Sequence, residues 1–141
     1  MNIQLGLVRA CLGDGCRVRL LETEAVIEVR VDRRADHRTR LRYGQLAAVE
    51  WGVPPALVWH WHRAQVVAWR SGSVLALLPE GRLIECRPAG PLSVAWDAAS
   101  ETWMTQVADH WEAHDTVVHG LPAHPEHLLQ WVMAQPIAAG A

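Results

Sequence analysis

Histidines cluster towards the end of the chain, and their spacing is suited to metal binding. Five of the eight His residues lie between positions 110 and 127. His110 and His114 are four residues apart, so a helix would bring both imidazoles onto one face with Glu112 nearby. The zinc-protease pattern needs Glu directly after the first His, and Trp111 stands there instead. We therefore expect no cofactor, and Zn or another divalent transition metal held by His110 and His114 is the alternative interpretation.

Patterns for nucleophilic catalysis are missing from the sequence. It contains no Gly-x-Ser-x-Gly elbow, no phosphate-binding loop and no Gly-x-Gly-x-x-Gly run. Cys11, Cys16 and Cys86 are an odd number in no metal-ligand spacing, which predicts buried, reduced thiols. We do not predict an enzyme.

Arginine supplies all of the basic charge, and most of it lies in the first half of the chain. Residues 1–70 hold 11 Arg against 7 Asp and Glu, whereas residues 71–141 hold 2 Arg against 8. This asymmetry favours a polyanion-binding surface on the first half, or two halves that attract each other. Six of the Arg residues fall between positions 30 and 42, where they form an Arg-rich loop.

Length and composition are those of a globular protein. A chain of 141 residues, half of them hydrophobic, suits one ordinary domain or two small ones. The composition excludes disordered, collagen-like and disulfide-stapled chains. The longest apolar runs are far shorter than a bilayer span, and the first residues do not read as a signal peptide. We expect a cytoplasmic protein without a membrane partner.

Short strands separated by turns are predicted over most of the chain, up to about residue 96. In residues 16–20 the alternation has period two, which places Arg17 and Arg19 together on one outward face. Residues 56–69 alternate again, with Trp59 and Trp61 on one face. That face is either core or a surface available for base stacking.

The hydrophobic period changes from 2 to 3.6 near residue 97. Trp103, Val107 and Trp111 form a stripe that predicts a helix ending at Gly120. A second, shorter helix is predicted from Pro125 onwards.

The elements together predict an α+β fold. It comprises a small N-terminal β-barrel over residues 1–70, a further β-meander over 71–96, a C-terminal helical segment over 97–135 packed against them, and a frayed tail at 136–141. Residues 8–31 and 66–87 share one order of strands and turns, so the spacing allows either one extended barrel or two.

Several spaced features between residues 6 and 70 carry a resemblance to a known family. They are Gly6 before Val8, Leu12-Gly13-Asp14-Gly15 followed by Arg17-Val18-Arg19-Leu20, an extended stretch at 26–31, a basic loop, Leu41-Arg42 before Gly44-Gln45, Val49-Glu50, and Val66-Val67. This segment resembles the S1-type oligonucleotide-binding (OB) barrel of the small translation initiation factor family, bacterial factor one and its eukaryotic counterpart. An SH3-like barrel fits the strand count nearly as well.

The resemblance implies an RNA-binding surface. In that family, strands two and three and the adjoining loops hold single-stranded or ribosomal RNA through basic and aromatic side chains. The matching residues in this chain are Arg17, Arg19, Arg30, Arg33, Arg34, Arg38, Arg40 and Arg42.

The leading hypothesis is a small non-enzymatic module that binds single-stranded RNA or DNA, or associates with the ribosome. Arginine would contact phosphates, and Trp59 or Trp61 would stack on bases. The first alternative is a protein-interaction or assembly subunit with a Trp-rich interface, which predicts a protein partner or a homo-oligomer. The second alternative is a His-ligated metal protein.

Overall fold

The structure, a computed structural model, describes residues 2–13, 15–31, 41–70, 72–89 and 100–135. Within these ranges the chain is mostly β with one short helix. The elements are β1 (Ile3–Leu12), β2 (Gly15–Leu20), β3 (Val26–Val31), β4 (Leu46–Glu50), β5 (Ala56–Arg70), β6 (Ser73–Leu77), β7 (Leu83–Pro88), β8 (Glu101–Val107), β9 (His110–Val118), β10 (Leu121–Pro122) and α1 (Pro125–Met133).

The chain divides into two compact units. Unit 1 comprises residues 1–60 and 129–141, and unit 2 comprises residues 61–128. The boundary falls inside β5, between His60 and Trp61, whereas the sequence placed the end of the first barrel at residue 70. The sequence could not show this boundary, because β5 is one strand of 15 residues and no turn separates the part in unit 1 from the part in unit 2.

Unit 1 is a small barrel-like sheet with Greek-key order. β1, β2 and β3 are joined by antiparallel hairpins, and β4 returns to pair antiparallel with β1. β5 pairs parallel with β3 and also pairs with β4, so the pairings form a closed circuit. This order fits an OB-like barrel, a five-stranded Greek-key arrangement. The core members include Val8, Val18, Val29, Val49 and Leu57.

Unit 2 repeats that circuit with its own strands. β5, β6 and β7 are consecutive antiparallel strands, β8 returns to pair antiparallel with β5, and β9 pairs parallel with β7 and antiparallel with β8. Its core includes Val66, Val74, Ile84, Met104 and Trp111. The β6–β7 hairpin, which the sequence treated as an added meander, therefore belongs to a second closed circuit.

Both circuits bend their first strand at a register shift. In unit 1 the shift lies between Val8 and Ala10 of β1, and in unit 2 it lies between Val66 and Ala68 of β5. A bulge increases local twist and bends the strand. β1 pairs with β4 over residues 3–7 and with β2 over residues 6–12, and β5 pairs with β8 over residues 62–65 and with β6 over residues 65–70.

The helix predicted from residue 97 to Gly120 is wrong, because residues 101–118 form the β8–β9 hairpin. Trp103, Val107 and Trp111 are spaced by four, which fits one face of a helix but also one face of a strand, since four is a multiple of two. Ala108 occupies the turn with a φ of 54°. Ala is not a residue typical of that conformation, so the turn carried no sequence signal.

The second predicted helix is confirmed as α1, which begins at Pro125. Proline suits the first helical position because its missing N–H would be unpaired there in any case. Trp131 of α1 packs edge-on against Trp59 at a centroid distance of 5.3 Å. No helix in the described ranges is long and apolar enough to cross a membrane.

Candidate functional site

The outer faces of β2 and β3 form a groove in unit 1. Alternation along β2 buries Cys16 and Val18 and turns Arg17 outward, as the sequence predicted. On β3, Glu28 and Arg30 are exposed and Val29 is buried. The groove has a volume of about 390 Å³ and is lined by Gly15, Cys16, Arg17, Glu28, Val29, Arg30 and Pro54.

Register brings charged side chains of both strands to the groove. Arg17 lies opposite Glu28 and Gly15 lies opposite Arg30, so the small Gly15 leaves space beside the longer side chain. The Arg17 Nε to Glu28 Oε1 distance is 3.5 Å, and the two side chains are 54% and 79% exposed. An ion pair this exposed contributes little stability, so the Arg17 guanidinium can exchange Glu28 for an external anion.

Arg19 and Arg42 are the other described candidates from the sequence. Arg19 lies one alternation further along β2, and its Nη2 donates to Glu24 Oε1 at 2.8 Å. Arg42 precedes β4 and is exposed. The remaining candidates, Arg33, Arg34, Arg38 and Arg40, lie outside the described residues.

The loop between β4 and β5, residues 51–55, supplies one groove residue and one exposed aromatic residue that sequence reasoning missed. Pro54 lines the groove, and Trp51 at the start of the same loop is 40% exposed. The sequence did contain a signal for an exposed aromatic residue here. Trp51 directly precedes Gly52-Val53-Pro54-Pro55, a turn sequence, and turns lie on the protein surface. Tyr43, which is 69% exposed, is a second surface aromatic, with the Arg9 guanidinium 5.3 Å from its ring centroid.

The predicted stacking residues Trp59 and Trp61 are core residues instead. Trp59 is buried against Trp131, and Trp61 has no exposed surface. The first seven residues of β5 are all buried, so both faces of this stretch are covered and neither Trp59 nor Trp61 is available to a Trp-rich interface. Alternation alone could not reveal this, because it separates two faces without saying how many are buried.

In unit 2, two histidines of β9, His110 and His114, are hydrogen-bonded to the same carboxylate, that of Glu112. His110 Nε2 lies 2.6 Å from Glu112 Oε2, and His114 Nε2 lies 3.1 Å from Glu112 Oε1. Trp61 Nε1 donates to His114 Nδ1 at 3.0 Å. Because an indole N–H only donates, Nδ1 must accept, and the proton of the neutral imidazole then lies on Nε2 and is donated to Glu112. These bonds hold the pKa of Glu112 below its ordinary value, with His114 the largest cause and His110 a further one.

The helical geometry behind the predicted metal site is therefore wrong. On a strand, His110 and His114 lie four residues apart with Glu112 between them, and each Nε2 contacts a different oxygen of that carboxylate. Among the described residues, no group of three or more His, Cys, Asp or Glu side chains is placed to hold a metal ion.

A second polar cluster of unit 2 surrounds Asp115, whose carboxylate is fully buried. Its oxygens accept from the backbone N–H of Thr116 at 2.8 Å and of His124 at 2.6 Å. The His124 ring Nδ1 lies 3.0 Å from Asp115 Oδ1, and this bond raises the pKa of His124. The cluster ties the start of α1 to β9, which is a structural role.

Comparisons with known proteins leave the family open. Neither a scan against protein-family models nor a search of curated proteins finds a match, so the initiation-factor family gains no support. Among solved structures, the chain is similar to "drosophila Unr CSD456", with 12% sequence identity and a TM-score of 0.31. The match covers 81% of this chain and 60% of that chain, which is less than two thirds of its length.

Proposed function

We propose that unit 1 is an OB-type barrel that binds single-stranded nucleic acid in the groove across β2 and β3. The observation that carries this proposal is the groove itself, which has an exposed Arg on each strand and the β4–β5 loop at its side. Strands two and three, together with the loops after strands one and four, are the surface on which OB barrels bind oligonucleotides. Gly15 borders the first of these loops, and Pro54 belongs to the second.

Phosphate contacts would supply most of the affinity. Arg17 and Arg30 reach the groove from neighbouring strands, and a guanidinium forks onto phosphate oxygens. The Arg-rich loop begins directly after β3, so Arg33, Arg34, Arg38 and Arg40 would extend the path of positive charge. Arg19 and Arg42 would add weaker contacts. The Glu28 carboxylate would repel a phosphate placed next to it. We therefore expect a base of the ligand, and not a phosphate, to lie beside Glu28.

Base stacking would come from Trp51. It is an exposed aromatic in the same loop as Pro54, which lines the groove. Stacking of one base on an aromatic side chain contributes about 1–3 kcal/mol and tolerates any base. The proposed mechanism is therefore weakly sequence-selective and sensitive to salt, and single-stranded RNA, including ribosomal RNA, and single-stranded DNA are all suitable ligands.

A titration of labelled single-stranded RNA and DNA tests this proposal. We expect saturable anisotropy changes at about 50 mM salt that weaken by tenfold or more at about 200 mM salt. The Arg17→Ala, Arg30→Ala double variant should bind about tenfold more weakly, since two phosphate contacts are lost. Trp51→Ala should also weaken binding but should leave the salt dependence unchanged.

The matched control is the Arg82→Ala, Arg87→Ala double variant. It removes the same charge from exposed positions of unit 2, so its effect should stay below about twofold if the groove is the site. Absence of binding at low salt would refute the proposed function. Equal losses in the two double variants would show that only the total charge matters.

A further inference from the structure

Two cysteines of unit 1 face each other across the first hairpin. Cys11 of β1 and Cys16 of β2 are direct partners in the antiparallel register, and the turn enclosed by Leu12 and Gly15 joins their strands. Both are free thiols, and their Sγ atoms are 3.2 Å apart. The sequence predicted three buried thiols, but Cys11 is exposed.

The backbone at this position suits a disulfide. Directly opposed residues of an antiparallel pair have Cα atoms about 4.5–5.5 Å apart. Disulfides join Cα atoms about 4.4–6.8 Å apart, with a bond of about 2.0 Å between the sulfur atoms. A small side-chain rotation is therefore enough to bring the two Sγ atoms to bonding distance.

The two thiols differ in access, which sets the order of attack. Cys11 is exposed and meets an oxidant first, whereas Cys16 is a core residue. Burial, with Cys11 as neighbour, raises the pKa of Cys16 to about 12. Cys86 is buried in unit 2, and its Sγ contacts the Met104 Sδ and the Ile84 carbonyl oxygen rather than a second thiol.

We propose that Cys11 and Cys16 form a reversible cross-strand disulfide by exchange with a low-molecular-weight disulfide such as oxidised glutathione. The Cys11 thiolate attacks one sulfur of the oxidant, whose S–S bond breaks and releases one thiol. The Cys16 thiol then loses its proton to water and attacks Cys11 Sγ, releasing the second thiol. Two protein thiols are oxidised, and one disulfide is reduced to two thiols.

This modification site requires only the hairpin, and it does not depend on a ligand in the groove. Cys16 is also one of the residues that line the groove of unit 1. Exposed disulfides of this kind are labile rather than structural.

Equilibration of the full-length protein with glutathione buffers of increasing oxidised fraction tests the site. After acid quenching, denaturation and alkylation, we expect the number of alkylated cysteines to fall from three to one. Trypsin leaves Cys11 and Cys16 together in the peptide of residues 10–17. After oxidation that peptide should carry no alkyl group and should be about 2 Da, the mass of two hydrogen atoms, lighter than its dithiol form, and excess reduced glutathione should make both cysteines alkylatable again.

Three variants distinguish this pair from general thiol oxidation. Cys86→Ser should leave the mass loss of peptide 10–17 unchanged, and Cys11→Ser should abolish it. Cys16→Ala, which removes the resolving thiol without burying a hydroxyl, should accumulate the glutathione adduct on Cys11. Far-UV circular dichroism before oxidation establishes that each variant is folded.

Three results would overturn the proposal. They are retention of all three thiols at the highest oxidised fraction, a bond to Cys86 or between two chains, and oxidation of Cys11 and Cys16 only after denaturation.

Discussion

Units 1 and 2 follow the same strand path but present different surfaces along it. The correspondence is close at the backbone, since Val8 and Val66 each donate an N–H to the residue before the fourth strand of their circuit, at 2.8 and 2.7 Å. The outer face of β2 and β3 carries Arg17, Glu28 and Arg30. The matching face of β6 and β7 also carries an exposed Glu and an exposed Arg, Glu85 and Arg87, but it has the half-buried Leu75 opposite Glu85 where β2 has Arg17 opposite Glu28.

Charge follows the same division. Unit 1 holds nine Arg against seven Asp and Glu, whereas unit 2 holds four Arg against eight. Inward-facing residues and turns specify the path of the strands, and outward-facing residues specify what the surface can bind. The comparison teaches that a shared strand order does not fix the chemistry of the surface, so the proposed nucleic-acid binding concerns unit 1 alone.

The largest expected difference between the units is the loss of stability on substitution at one position in the first strand of each circuit. A Cβ on Gly6 would lie 2.3 Å from Val18 Cγ1 and 2.8 Å from the Arg19 carbonyl oxygen. Backbone cannot yield as a side chain does, so Gly6→Ala should destabilise unit 1 by about 2–3 kcal/mol. Hydrogen exchange measured by mass spectrometry would locate the loss in unit 1.

Ala64 provides the matched control for Gly6, since it lies at the corresponding position of β5 and is buried. Ala64→Gly should cost only about 1 kcal/mol, through the greater backbone freedom of the unfolded chain. If the two substitutions had equal effects, the strand-by-strand correspondence of the two circuits would be incorrect at this position.

The second prediction concerns the buried carboxylate of unit 2. Among the described residues, buried polar side chains of unit 1 are Gln45 and His60, whereas unit 2 buries Asp115. Asp115→Asn replaces one acceptor oxygen by an N–H₂ group that faces donors. Chemical denaturation should show a loss of about 2 kcal/mol. Asp109→Asn, at an exposed position beside β9, should change the stability by less than about 0.5 kcal/mol.

Much of the strand pattern could be predicted from the sequence, and unit 1 shows why. Period-two alternation placed Arg17 outward and Cys16 inward, and Gly13 with a φ of 59° supplies the turn predicted between β1 and β2. The resemblance between residues 8–31 and 66–87 corresponds to the β1–β3 and β5–β7 parts of the two circuits.

The candidate site was only partly predictable, for physical reasons. Pairing across distant strands decides whether one or both faces of a strand are buried, so Trp59 and Trp61 could not be assigned to the core with certainty. The sequence also could not show that Pro54 lies beside Arg30, because loops between distant strands meet only in the folded chain. The four-residue spacing in β8 and β9 fitted two secondary structures equally well.

The third prediction is that, among the described residues, those of unit 2 cause most of the pH dependence of stability, below about pH 4.3 through Glu112 and above about pH 6.5 through His124. The pKa of Glu112 is lowered in the folded protein, so its contribution is present above the unfolded value of about 4.3 and is lost as pH falls through the folded value. The pKa of His124 is raised, so its contribution is present below about pH 6.5 and is lost as pH rises through the folded value.

Denaturation of the wild type and of Glu112→Gln at a series of pH values measures the acid side of this dependence. Gln keeps the shape of Glu112 but does not titrate, so the stability should fall less steeply below about pH 4.3 than in the wild type. Glu28→Gln, at an exposed position of unit 1, should leave the slope unchanged. A slope that changes equally in both variants would contradict the assignment of this pH dependence to unit 2.

The smallest expected changes in stability come from breaking one Arg–Glu pair in each unit. Arg63 and Glu101 form two hydrogen bonds, at 2.5 and 2.7 Å, and both side chains are less exposed than those of Arg17 and Glu28. Glu101→Gln should cost about 1 kcal/mol, because a two-bonded pair also fixes β8 against β5. Glu28→Gln should change stability by less than about 0.5 kcal/mol, yet it should raise nucleic-acid affinity several-fold by removing the negative charge from the groove. Denaturation and anisotropy on the same two variants would separate these roles, because both substitutions remove one negative charge but only Glu28 lines the groove.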